Sequence, residues 1–121
     1  MTTNSDFNGF ENVKLVTGAN SSSVIFSVGG PADIGLEPVF GEFCVEGSGY
    51  DWQSAVAGHF TDAEPAMLKR FRFDPEAGMF CAYGDDLAAL HAVATVVEAM
   101  LADADTLRHA MRVAVEHDLL D

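Results

Sequence analysis

The stretch Phe71–Tyr83, FRFDPEAGMFCAY, constrains the fold more than any other part of the chain. Strict alternation over a short run is the signature of a half-buried strand. Phe71 and Phe73 fall on one face, with Arg70 and Arg72 on the other. Asp74-Pro75-Glu76-Ala77-Gly78 then reads as a connection. Pro75 presets φ, Asp74 can bond forward to the backbone, and Gly78 tolerates positive φ. Beyond it Met79, Cys81 and Tyr83 share one side, and Phe80 and Ala82 the other. The expectation is a hairpin with a five-residue loop.

A second hairpin is expected upstream. Asn12–Thr17 alternates, with Val13 and Leu15 on one side. Gly18-Ala19-Asn20-Ser21 supplies turn residues, and Ser22–Val28 alternates again, with Val24, Phe26 and Val28 opposite Ile25. Leu36, Val39, Phe40 and Phe43 have the spacing of a short helical face, with Pro38 in the first turn. A strand over Glu42–Val45 is the alternative there. Asp51 is a suitable N-cap for a helix from Trp52 to about Phe60. Thr61 or Asp62 can cap a further short one. Asp85 or Gly84 then starts a long helix whose stripe is Leu87, Leu90, Ala94, Val97 and Leu101, widened by Val93, Val96 and Met100. Asp105 can cap a last helix lined by Leu107, Met111, Ala114 and Leu119, with Arg108 and Arg112 on its surface.

These elements define the expected fold class, α+β: a small antiparallel β-sheet built from two hairpins, covered by the long helix and the C-terminal helix. With 121 residues the chain is expected to be a single domain, residues 1–121, with residues 1–8 a frayed polar tail.

Charge narrows the partners. Nineteen acids face six bases, a formal net charge of -13. That field repels nucleic acid and anionic membranes, and it speeds encounter with basic proteins. The sequence lacks a secretory leader pattern and a stretch long enough to span a bilayer, so a cytoplasmic location with reduced thiols is expected.

Catalytic patterns are missing. Cys44, Cys81, His59, His91, His109 and His117 form neither a C-x₂-C nor an H-x₃₋₅-H pair, so no metal is expected. There is no G-x-S-x-G elbow and no P-loop, and no cofactor is implied. Asp85-Asp86 and Asp103-Asp105 read as helix caps and solvated charge rather than acid–base pairs. Tyr50-Asp51-Trp52 combines two aromatics and a carboxylate after a Gly-rich loop, a composition suited to a binding hot spot. The same residues also suit packing under the loop and capping.

Two motifs together carry a resemblance. Glu46–Trp52 resembles the E-G-N-G-Y-D-W segment of the bacterial immunity protein 51 family, and Phe73–Tyr83 resembles that family's F-D-S-E-A-G-M-F-C-A-Y stretch. The departures, Ser48 for Asn and Pro75 for Ser, sit in loops. The resemblance spans roughly Val13 to Leu101. It implies an antidote in a polymorphic-toxin or contact-dependent competition system, one that binds a cognate toxin and blocks it without catalysis. It transfers no active site. The candidate toxin-binding residues are the acids and aromatics outside the apolar stripes: Tyr50, Asp51, Trp52, Asp74, Glu76, Asp85 and Asp86. An acidic surface of this kind would suit a nuclease toxin. The alternative is a small ligand-binding domain or enzyme with a pocket near Tyr50, Trp52 and His59. A third possibility is a structural subunit exposing an apolar face on the last helix.

Overall fold

The computed structural model describes residues 9–120; the expected tail, residues 1–8, lies outside the described residues. In chain order come β1 (Lys14–Thr17), β2 (Ser22–Ser27), α1 (Glu37–Gly41), α2 (Gly49–Ala63), β3 (Arg72–Phe73), β4 (Met79–Gly84), α3 (Leu87–Ala102) and α4 (Ala104–Glu116). Short 3₁₀ turns precede α1 and β3, at Ile34–Leu36 and Pro65–Lys69.

Both expected hairpins form, and they join into one four-stranded sheet in the order β1-β2-β4-β3, antiparallel throughout. The join pairs Val24 with Ala82 and Phe26 with Phe80, and all four are buried. Leu15 and Phe73 sit beside them through their pairings with Val24 and Ala82. The inner face is therefore the apolar set that alternation marks out. Val13 is buried, but the first strand begins only at Lys14. The N–H groups of Asn12 and Val13 go instead to the Glu98 carboxylate of α3, at 2.7 and 2.9 Å.

The second hairpin is tighter than a five-residue loop. Glu76 pairs with Met79 in the same register as Phe73 with Ala82, so only Ala77 and Gly78 turn the chain. Asp74 N–H donates to the Cys81 carbonyl. Pro75 falls at a position whose N–H would point away from the partner strand, where a proline removes no ladder bond.

The inner face is covered in two tiers. Helix α3 packs on β2 and β4, and α2 packs on β4 beside it; α4 lies mainly on α2, with further contacts to α3 and α1. Leu90, Val93, Ala94, Val97 and Met100 form the buried stripe of α3. Large side chains buried in this way each contribute roughly 1.5–3 kcal/mol. Asp103 is extended, and the axes of α3 and α4 meet there at 117°. Its carboxylate accepts from Asp105 N–H, so Asp103 and not Asp105 caps the last helix. Leu107, Met111 and Ala114 are buried against α2, which leaves that apolar stripe covered. Arg108 makes a two-point bridge to Glu42 at 2.8 and 2.9 Å, tying α4 to the end of α1.

Helix α2 differs most from expectation. It starts at Gly49 rather than Trp52, and Ser48 is its N-cap. Thr61 and Asp62 lie inside it, so neither caps a new helix. The 3₁₀ turn at Pro65 follows Glu64 with no side-chain cap. Leu36, Val39 and Phe40 bury one side of the expected helical segment, whose regular part ends at Gly41.

Candidate functional site

The two family-like motifs meet in space. Gly49 N–H donates to the Ala77 carbonyl at 2.9 Å, and Val28 N–H donates to Gly78 at 3.0 Å. The tip of the second hairpin is thereby pinned to the first turn of α2 on one side and to the end of β2 on the other. A Cβ on Gly49 would lie 2.0 Å from the Glu76 oxygen and 2.2 Å from the Met79 oxygen. Only glycine fits this contact. The preceding Gly47 has φ +94, a left-handed conformation, with the Phe40 ring at 3.0 Å from where its Cβ would stand.

Asp51 and Trp52 belong to this junction. The Asp51 carboxylate accepts from Gly47 N–H and Ser48 N–H, both at 2.8 Å, while Ser48 Oγ accepts from Asp51 N–H. This is a capping box with Asp51 at the third helical position, a correction to its expected place as N-cap. Trp52 is fully buried, edge-on to Phe26 and Phe40 at 5.3 and 5.4 Å. In the folded chain it offers a partner no surface, and Asp51 offers almost none. Tyr50, which precedes them, is 43% exposed. Asp51→Ala should cost about 2 kcal/mol, because it orphans the buried Gly47 N–H and removes the reciprocal half of the capping box. Urea unfolding checks this, with the exposed Glu37→Ala as the near-neutral control.

Asp85 and Asp86 lie at the far end of β4, about 17 Å along the strand from the hairpin tip. Asp85 is exposed. Asp86 caps α3 by accepting from Ala89 N–H at 3.1 Å, and it holds Arg70 at 2.8 and 3.2 Å. The hydrogen-bonded Arg70 guanidinium, followed by the Ala89 N–H, keeps the Asp86 carboxyl below the usual carboxylate range. Reversing its charge would disturb the helix start as well as any interface.

Asp74 and Glu76 are exposed and stand on the outer face of the sheet. Register groups them with residues that sequence reasoning left unassigned: Ile25 beside Cys81, Ser27 beside Met79, and Ser23 beside Tyr83. The inward Val24, Phe26, Phe80 and Ala82 are buried, whereas Val16, Ile25, Met79 and Tyr83 all keep solvent exposure, so the helices cover the inner side. Cys81 is buried within this outer row. Burial pushes its thiol pKa up, opposed by a Ser23 hydrogen bond and reinforced by the Asp74 and Glu76 charges. The face has an apolar centre and a charged rim: Lys14 on one edge, and Arg72, Asp74 and Glu76 on the other. Alternation alone showed that Met79, Cys81 and Tyr83 share a side. Only the pairing of β2 with β4 brings Ile25 to them.

Trp52 is fully buried and so lines no open pocket with Tyr50 and His59. Tyr50 and His59 are about 13 Å apart along α2. His59 lines a groove of about 380 Å³ with Asp62, Ala63, Asp103, Asp105, Thr106 and His109. Desolvation lowers its pKa, partly offset by Asp62 and assisted by His109. Among the described residues no three His, Cys, Asp or Glu side chains converge as a metal site, and no single helix is long and apolar enough to cross a membrane.

The sheet is covered by helices on one face and leaves a mixed apolar and charged face exposed on the other. The family model described as Immunity protein 51 matches residues 19–115, and the chain belongs to that family. It is thus an immunity protein of a toxin system. No curated protein and no solved structure matches the chain significantly. The matched span contains both motifs of the α2–hairpin junction.

Proposed function

We propose that this chain is a cytoplasmic, non-catalytic antidote of a bacterial polymorphic-toxin system. It binds a cognate toxin domain through the outer face of its sheet and the adjoining hairpin tip. The observation that carries this reading is the composition of that face. Val16, Ile25, Met79 and Tyr83 supply apolar and aromatic contact, and Tyr50 adjoins through the Gly49–Ala77 hydrogen bond. Asp74 and Glu76 form an acidic rim without an ion-pair partner among the described residues. An apolar centre inside a charged rim is how protein interfaces are built. The charge of -13 favours a basic toxin, and a nuclease cleft is the natural occupant because carboxylates can stand where phosphates would.

The test is co-expression with the toxin encoded by the adjacent gene, together with binding kinetics. The wild-type chain should protect the cell. Asp74→Lys combined with Glu76→Lys should slow association about tenfold at low salt and flatten its salt dependence. Neither side chain caps a helix, so the melting temperature should hardly move. Unchanged kinetics would take this edge out of the interface. Failure of the wild-type chain to bind or protect would end the antidote reading.

A further inference from the structure

The same face has a second, oppositely charged end. The chain holds only six bases, and three of them are Lys69, Arg70 and Arg72. They line a groove of about 620 Å³ together with Asn20 and Ser21 from the β1–β2 turn, and Tyr83 from β4. Arg70 is already held by Asp86. Lys69 and Arg72 are exposed and have no acidic partner among the described residues, in a chain with nineteen acids. Asp85 also lines the groove and opposes one of those two charges. A local positive excess therefore remains inside a strongly negative molecule. Arg72 pairs with Tyr83 in the sheet and so belongs to the outer face as well as to the groove.

We propose that this groove receives a carboxylate side chain of the toxin, so that the binding face is bipolar: acidic at the hairpin tip and anion-accepting at Lys69 and Arg72. The inference rests on the toxin-binding reading above and adds the second anchor. A guanidinium fork with an ammonium beside it suits a carboxylate, and the phenol of Tyr83 and the polar Asn20 and Ser21 surround the site with hydrogen-bonding groups. A free polyanion would be turned away by the overall field before it reached the groove. A carboxylate on a protein already docked against the acidic rim is delivered there despite that field. Two opposite charges at the two ends of one face also fix the orientation of the partner, which a uniformly acidic surface cannot do.

The experiment compares wild type, Lys69→Glu with Arg72→Glu, and Lys69→Ala with Arg72→Ala. Each is bound to the catalytically inactivated toxin domain encoded by the adjacent gene, and melting temperatures check folding. Both variants should bind at least about tenfold more weakly, chiefly through faster dissociation, with the glutamate pair the worse. The opposite sign is informative. If the toxin meets this protein only as a basic body, the added acids leave binding unchanged or tighten it, which overturns the inference while the antidote reading stands. If the wild-type chain itself does not bind that toxin, the antidote reading fails and the second anchor falls with it.

Discussion

Gly49→Ala should destabilise the protein by about 3 kcal/mol and lower its melting temperature by roughly 10–15 °C. The added methyl would have to occupy space 2.0 Å from one backbone oxygen and 2.2 Å from another. Neither oxygen belongs to a flexible side chain that can swing aside. The hairpin tip must lift from α2, and the Gly49–Ala77 and Val28–Gly78 hydrogen bonds are strained together. Gly35→Ala is the matched control, since nothing lies within 4 Å of its Cβ position. Thermal unfolding of the two variants separates the steric effect from the general effect of replacing a glycine. Toxin binding should weaken as well in Gly49→Ala, because the same contact positions Tyr50 and Glu76.

Trp52→Ala should be of similar size or larger, about 4 kcal/mol. The indole is the largest fully buried side chain, wedged between Phe26 of the sheet and Phe40 of α1. Trp52→Phe should be much milder. It keeps a ring in the aromatic cluster and removes Nε1, a buried donor with no hydrogen-bond partner among the described residues. Chemical denaturation gives both values. Where Trp52→Phe stays folded, its toxin affinity should match wild type, because Trp52 never reaches the surface. A specific loss of affinity in a stable Trp52→Phe protein would contradict that placement.

The fold was largely legible because its inner face is written in local patterns. Val24, Phe26, Phe80 and Ala82 alternate, and Leu90, Ala94 and Val97 recur at helical spacing. These patterns survive because each side of an element meets one environment. What was not legible depended on distant partners. Asp51 resembles an N-cap until Ser48, three residues earlier, is seen to take that role; the S-x-x-D spacing was the available signal. Asp103 and Asp105 present the same ambiguity, decided by which backbone is extended at the α3–α4 bend. The first strand starts at Lys14 rather than Asn12 because Glu98, far along the chain, captures the N–H groups of Asn12 and Val13.

The candidate site was legible only in part. Asp74, Glu76 and Tyr50 remain accessible, as residues outside the apolar stripes should be. Asp51 and Trp52 were drawn into the junction by the same motif that made them conspicuous. Asp85 and Asp86 sit at the opposite end of β4, and Asp86 is occupied as a cap and an ion-pair partner. The apolar centre of the outer face escaped notice because Ile25 and Cys81 become neighbours only when β2 pairs with β4. The groove at Lys69 and Arg72 escaped because net charge conceals a local excess of the other sign.

The most direct measurement is a titration of the purified toxin's activity with increasing amounts of this chain. An antidote that works by occupying its target should inhibit in proportion to the amount added, reaching completion at a fixed equivalence and releasing full activity when the complex is dissociated. Complete loss of toxin activity at a small fraction of an equivalent, lasting after the chain is removed, would mean that it alters its target chemically, and would contradict the account.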